Sequence, residues 1–311
     1  MTQPNVSTEP VLDTTTPTTP LSWVEAREIV QEFSFEPAFI DTLSATRSRP
    51  SDITSVDYAK ALSAYTDTYC DKRQTDGSIT RDLSDQIKLL ANAPLYLHNE
   101  KELSYYGNEK HVRRLSDDEW QYYQDFKPYM IWYNQLLADY AYTNRRDTLS
   151  GLNNVLIQQA LPYFPGEAEA VERNIKRATR GARTEAVARE LLDRTPIDYS
   201  PGTIDDDLRG GDLIVTYQGH RVKVDIKSSI AEIAAVRDGY DEIDSHHLRY
   251  AILITRKDGG DTAKHVVVLF PGFTDSDLGD SLSLQLPEPN IQEHADSMAK
   301  QLHLAFSELK L

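Results

Sequence analysis

The feature that most limits the fold of this chain is a pair of β-type segments, residues 212–217 and 220–227, separated only by Gln218 and Gly219. Each segment is rich in β-branched residues, and the two residues between them have the composition of a tight turn. The pattern predicts a β-hairpin. A stretch rich in Pro, Gly and Asp, residues 195–211, precedes the hairpin and is expected to be a loop.

The segments around the hairpin predict the rest of an α/β unit. Two apolar runs, 250–255 and 265–270, have the near-continuous apolar character of central strands. Helical spacing extends over 167–194 before the hairpin and over 291–309 near the end of the chain. The expected order is therefore helix, hairpin, two central strands and helix, which we assign to one α/β domain over 166–311.

The first half of the chain has a different texture. Residues 21–165 have apolar residues at helical spacing and little strand-like alternation, so we expect a mostly α-helical domain that binds substrate or a partner. Ser116 and Glu119 have the spacing of a capping box at the start of one of its helices. The Thr- and Pro-rich residues 1–20 are expected to be disordered.

Composition removes several classes of protein. No run of about 18 apolar residues is present and the first residues lack the pattern of a signal peptide, so we expect neither a membrane span nor secretion. Cys70 is the only cysteine, which excludes a disulfide framework and a cysteine-ligated zinc or iron–sulfur site and favours the cytoplasm. The net charge of −16 repels nucleic acid at long range. A local basic groove still dominates within a Debye length of ~10 Å.

Alternation along 220–227 places chemistry on one face of the hairpin. Side chains of a strand point alternately to its two faces, so Asp225 and Lys227 lie side by side, opposite the face formed by Val222 and Val224. Asp212 opens the partner strand near the same edge. Two converging carboxylates need a cation, and such oxygen ligands suit Mg²⁺. A lysine beside them can assist a reacting water or phosphate.

A third acid lies upstream, on the predicted helix 167–194. Glu185 falls in the middle of an apolar stripe, where a carboxylate needs a partner. A metal ion at the sheet edge is one such partner. The alternative is an ion pair with Arg189, four residues later on the same helix.

These acids resemble, in order and spacing, the metal site of the PD-(D/E)xK nuclease superfamily. In that family a helical Glu, here Glu185, precedes an Asp that opens a hairpin, here Asp212, and a (D/E)-x-K tripeptide, here Asp225-Ile226-Lys227. The resemblance implies a restriction-endonuclease-like core. It also implies a Mg²⁺-dependent endonuclease that hydrolyses phosphodiester bonds in DNA, with RNA not excluded.

The resemblance further implies a role for each residue. Mg²⁺, or Mn²⁺ as a substitute, is held by Asp212, Asp225, the backbone carbonyl of Ile226 and Glu185, the last directly or through water. Lys227 assists the attacking water. A restriction or defence role and a homodimer are also implied, and the sequence decides neither. The alternative readings are a nucleic-acid-binding protein with a silent nuclease-like core and an acidic interaction protein.

Cationic and aromatic residues are a second indication of nucleic-acid binding. The densest basic run lies on the helix before the hairpin, and with one hairpin lysine it predicts phosphate contacts by Arg173, Lys176, Arg177, Arg180, Arg183 and Lys223. The alternative is a solvated helix face. Tyrosines and tryptophans of 21–165, beside arginines and lysines, are able to stack bases, but we favour core packing. The acidic run 205–207 is interpreted as a solvated loop.

Overall fold

The computed structural model describes residues 23–32, 53–145, 147–208, 211–228, 240–244, 251–256, 265–269, 273 and 278–308. The helices are α1 (Trp23–Glu32), α2 (Ile53–Thr75), α3 (Arg81–Val112), α4 (Asp117–Thr143), α5 (Leu149–Ala160), α6 (Ala168–Leu192), α7 (Ile204–Asp207) and α8 (Glu288–Glu308). The strands are β1 (Asp198–Pro201), β2 (Leu213–Tyr217), β3 (His220–Ile226), β4 (Tyr240–Asp244), β5 (Ala251–Arg256) and β6 (His265–Leu269). The predicted disordered tail 1–20 lies outside the described residues.

Helices α1 to α5 confirm the helical prediction for the first half of the chain. The capping box at the start of α4 is present: Glu119 donates its backbone N–H to Ser116 Oγ at 3.2 Å, and Glu119 Oε2 accepts the Ser116 backbone N–H at 2.8 Å. These two bonds satisfy backbone donors that the first turn of a helix otherwise leaves unpaired, so they fix where α4 begins.

Tyrosine side chains fill much of the core between α3 and α4. The rings of Tyr96 and Tyr133 are stacked with centroids 4.4 Å apart, and the Tyr133 hydroxyl donates to the Leu89 carbonyl at 3.1 Å. The Tyr129 hydroxyl donates to Asn92 Oδ1 at 3.1 Å. All three rings are buried, and the hydroxyls of Tyr129 and Tyr133 are hydrogen-bonded, which confirms the core interpretation for these residues.

The strands form one six-stranded mixed sheet in the order β1-β2-β3-β6-β5-β4. The β2–β3 hairpin is antiparallel, β3 and β6 are parallel, and β5 and β6 lie in the interior of the sheet as predicted. Gln218 and Gly219 have φ of 49° and 83°, the left-handed backbone that a two-residue hairpin turn of type I′ requires. The mixed α/β class is thus confirmed.

The prediction of a loop over 195–211 was wrong in part. Strand β1 pairs with β2 over Asp198–Pro201, and one turn of helix, α7, follows. Strand β4 was not predicted either. Both strands lie at the two edges of the sheet, where pairing with a neighbour determines the backbone more than the Pro-, Gly- and Asp-rich composition does.

Helix α6 joins two hydrophobic cores. Its first half contributes Val171 and Ile175 to the core of the helical half, whereas its second half contributes Leu191 and Leu192 to the core between the sheet and α8. The predicted site residue Glu185 lies where the two halves of α6 meet, so the helix carries it to the boundary between the two cores.

Candidate functional site

The hairpin brings Asp212 and Asp225 together. The antiparallel register pairs Leu213 with Val224, so one step further along the same register places Asp212 opposite Asp225. Side chains in such opposed positions have Cβ atoms about 4.5–5.5 Å apart. Asp212 Oδ2 also accepts the backbone N–H of Ile226 at 2.6 Å, which holds its carboxylate against β3.

Two glycines allow this close approach. Gly202 donates its backbone N–H to the Asp212 carbonyl at 2.8 Å, and a Cβ at Gly202 would lie 2.3 Å from the Gly211 carbonyl oxygen. A Cβ at Gly211 would lie 3.2 Å from the side-chain carbons of Lys223. The chain entering Asp212 is therefore sandwiched between the end of β1 and the hairpin, and the bare backbone of glycine is what fits.

The carboxylate pair, in which Asp225 is buried and Asp212 half-buried, is only partly neutralised. Asp225 is buried, and Lys227 Nζ donates to its carboxylate. Burial and the neighbouring Asp225 raise the pKa of Asp212 well above its ordinary range, and the Lys227 ammonium opposes this increase. If Asp212 and Asp225 were both ionised, the single ammonium group of Lys227 would not offset their combined negative charge.

The backbone N–H of Ile226 points from β3 toward Asp212. The N–H and C=O of a strand residue point to the same side, and the Ile226 N–H points at Asp212. The neighbouring Lys227 N–H points the other way and donates to the Leu269 carbonyl of β6 at 3.0 Å. The Ile226 carbonyl oxygen thus lies on the side of the Asp212 carboxylate.

Glu185 lines the same cleft as Asp212, Ile226 and Lys227. Its Oε1 lies 3.8 Å from Arg189 Nη1, so the ion pair considered from the sequence is also present. Burial raises the pKa of Glu185 to about 8, the Arg189 guanidinium opposes this, and the Asp139 and Asp207 carboxylates add to it. Arg189 Nη1 is closer to Asp139 Oδ1, at 2.6 Å. The Arg189 guanidinium therefore neutralises Glu185 only in part.

Sequence reasoning missed a fourth acid, Asp207. It lies half-buried on α7, and burial with the neighbouring Asp225 raises its pKa to about 6, while Lys227 opposes the increase. Its neighbour Asp206 accepts the Thr203 backbone N–H and lies 3.7 Å from Lys223 Nζ. The interpretation of the run as a solvated loop was therefore wrong for Asp207, because α7 packs beside the hairpin.

Two of these acids, Glu185 and Asp212, lie on the wall of a cleft of about 460 Å³ between the helical half and the hairpin. The helices α3, α4 and α6 form its other walls. Its lining includes Tyr96, Glu100, Tyr123, Lys127, Asn134 and Arg177 in addition to Glu185, Asp212, Ile226 and Lys227. The basic side chains of Lys127 on α4 and Arg177 on α6 thus line the same space as Glu185, Asp212 and Lys227.

The predicted phosphate-binding residues divide into two groups. Arg183 was predicted wrongly, because it is 2% exposed and donates to the Gly279 carbonyl at 3.1 Å, on the face of α6 that packs inward. The side chains of the others on α6, Arg173, Lys176, Arg177 and Arg180, are exposed. Lys176 pairs with Glu172 at 2.5 Å and Arg177 pairs with the buried Glu100. Lys223, on the interior strand β3, pairs with Asp206 of α7.

The oxygen donors near the hairpin form a small set that suits a hard cation. Within the described ranges, no group of three His, Cys, Asp or Glu side chains is arranged to hold one. The opposed pair Asp212 and Asp225, with the Ile226 carbonyl, is a smaller set of oxygen donors. It fits Mg²⁺, which takes one or two carboxylates from a protein and keeps several waters. Glu185, which lines the same cleft, is paired with Arg189.

Comparisons with known proteins give no assignment: no family model, no curated protein and no solved structure matches this chain. Of the helices that the structure describes, none combines the length and the apolar character needed to span a membrane. What is known of the site therefore comes from its residues.

Proposed function

We propose that the protein is a Mg²⁺-dependent phosphodiester hydrolase that acts on nucleic acid, with DNA as the expected substrate. The observation that supports the proposal is the pair Asp212 and Asp225, with Lys227 bonded to Asp225. Asp212 and Lys227 line a cleft that further cations also line. A buried, incompletely neutralised pair of carboxylates is costly to keep unless it binds a cation.

The roles follow from the positions of the groups. Asp212, Asp225 and the Ile226 carbonyl would hold the ion, which when bound would polarise the phosphate and lower the pKa of a bound water. Lys227 positions the attacking water and offsets charge that develops on the phosphate. In the reaction the water oxygen bonds to phosphorus, the bond from phosphorus to the leaving oxygen breaks, and overall one proton passes from water to the leaving oxygen.

The test is cleavage of plasmid and single-stranded DNA in Mg²⁺ and in EDTA. The wild type is expected to cut in Mg²⁺ only, and Asp225→Asn and Lys227→Met to lose activity by about 10²-fold or more. Asp205→Asn is the matched control, because Asp205 is an exposed acid two residues from Asp207. Intact DNA in every lane with a folded wild type would refute the proposal.

A second candidate, a nucleic-acid-binding protein with a silent nuclease-like core, is favoured by two ion pairs. Lys227 forms an ion pair with Asp225, and Arg189 forms a longer one with Glu185. These acids therefore have positively charged partners from the protein itself. Calorimetric titration with Mn²⁺ separates the two functions. Uptake of about one ion that is lost in Asp212→Asn supports the hydrolase, whereas retention of DNA on a gel without ion uptake or cleavage supports the silent protein.

A further inference from the structure

One face of α4 carries aromatic and cationic residues toward the carboxylate pair. Trp120, Tyr123, Lys127, Met130 and Asn134 are spaced three or four residues apart, so they lie along one side of the helix. The stripe extends over ~21 Å at 1.5 Å per residue. Its last four residues line the cleft that contains Asp212 and Lys227.

The first residue of this stripe belongs to a second hollow. Trp120 lines a space of about 330 Å³ together with Arg113, Arg114, Leu115 and Asp117, at the junction of α3 and α4. The rings of Trp120 and Tyr123 lie 5.7 Å apart and 30° from parallel, so this contact links a residue of one hollow to a residue of the other. The α4 stripe therefore runs from the second hollow to the cleft that Glu185 and Asp212 line.

We propose that this surface, which we call the α4 track, binds single-stranded nucleic acid and leads it to the cleft. Trp120 is 48% exposed although it is a large apolar side chain, so it offers a ring face on which a base can stack. Lys127 Nζ lies 4.4 Å from the centre of the Tyr123 ring, and Arg177, which pairs with Glu100, lines the same cleft from α6. These two cations are placed to hold phosphates on either side of the strand.

The dimensions favour a single strand over a duplex. A space of about 460 Å³ holds a ligand of the size of one or two nucleotides. A B-form duplex has grooves about 12 and 6 Å wide and presents no unstacked base to a ring. Stacking on Trp120 requires the free base faces of an unpaired strand, so the track selects that form of the substrate.

The overall charge of the protein sharpens this selection. The cleft is lined by three cations, Lys127, Arg177 and Lys227, and by three acids, Glu100, Glu185 and Asp212. In a chain with a net charge of −16, this balance makes the cleft less repulsive to phosphates than the average surface. Binding is therefore expected to weaken steeply with salt, because phosphate contacts release counterions. The inference rests on the proposed function for the fate of the strand, but binding to the track does not require catalysis.

The test measures binding of a labelled 12-nucleotide oligo-dT and a 12-base-pair duplex by fluorescence anisotropy in EDTA. We expect the single strand to bind at least tenfold more tightly than the duplex. Trp120→Ala and Lys127→Gln are each expected to weaken its binding about tenfold. The matched controls on α2 are Tyr65→Ala and Lys72→Gln, which remove an exposed ring and an exposed charge away from the cleft. They are expected to change binding less than twofold.

Equal binding of single strand and duplex, or wild-type affinity in both track variants, would overturn the inference. Asp225→Asn separates it from the proposed function, because this variant is expected to bind oligo-dT at least as tightly as the wild type without cutting it. Plasmid cleavage in Mg²⁺ without oligo-dT binding would contradict the track alone. Binding to the track without cleavage by the wild type would support the track and contradict the hydrolase.

Discussion

Raising the pH from 5 to 8 in the absence of divalent ions is expected to destabilise this protein, and Glu185→Gln to remove much of that loss. Burial raises the pKa of Glu185 from 4.5 to about 8 and that of Asp207 from 3.8 to about 6. The pKa of Asp212 is raised in the same direction. Between the unfolded and folded pKa values the folded state binds more protons than the unfolded state, so the free energy of unfolding falls as the pH rises.

The magnitude follows from the two pKa values of Glu185. At about 1.4 kcal/mol per pH unit, the difference between 4.5 and about 8 corresponds to roughly 5 kcal/mol as an upper bound. The loss begins near pH 4.5 and is complete above pH 8. Glu119 contributes nothing in this window: its bond to Arg113 lowers its pKa to about 2, so the stability it supplies is lost only as the pH falls below 4.5.

The assay is urea unfolding followed by circular dichroism at pH 5, 6, 7 and 8 in EDTA. The wild type is expected to lose several kcal/mol across this range, and Glu185→Gln to show a flatter profile and greater stability at pH 8. Glu172→Gln is the control, since Glu172 is an exposed acid on the same helix. A wild-type stability that is constant or rises with pH, or an unchanged slope in Glu185→Gln, would refute the reasoning.

Magnesium gives the complementary result at pH 8. An ion that binds only the folded state adds about 2.7 kcal/mol to its stability when the free concentration is 100 times the Kd. The wild type is expected to gain stability in Mg²⁺ and Asp225→Asn to gain little. Equal gains in both proteins would place any bound ion away from the opposed carboxylates.

Three further variants test how the fold positions the site. Gly202→Ala places a Cβ 2.3 Å from the Gly211 carbonyl oxygen, so we expect a loss of about 1–3 kcal/mol and weaker cleavage, measured by urea unfolding and the plasmid assay. Ser116→Ala removes the α4 cap and is expected to lower stability by about 1 kcal/mol without affecting the cleavage rate. Arg183→Ala leaves a buried gap and is expected to lose about 2–4 kcal/mol by urea unfolding, whereas Arg180→Ala, at an exposed position of the same basic run, changes stability by less than about 0.5 kcal/mol.

Local rules were sufficient wherever a feature depends on residues close in sequence. The capping box at Ser116, the hairpin turn at Gln218-Gly219 and the alternation that puts Asp225 beside Lys227 each follow from short-range geometry. The sequence therefore predicted the mixed α/β class, the hairpin and two carboxylates at its open end. It also indicated two alternative partners for Glu185, a metal ion and Arg189.

Only the tertiary structure decided what surrounds those residues. Asp207 and Arg183 both lie in charged runs that have the composition of solvated segments. Asp207 is shielded because α7 packs beside the hairpin, and Arg183 is buried because α6 packs against the segment of Gly279. Strand β1 forms because β2 offers it a free edge. The cleft requires α3, α4 and α6 to meet the hairpin from separate parts of the chain, and burial, pKa and groove shape depend on such long-range contacts, which no local pattern encodes.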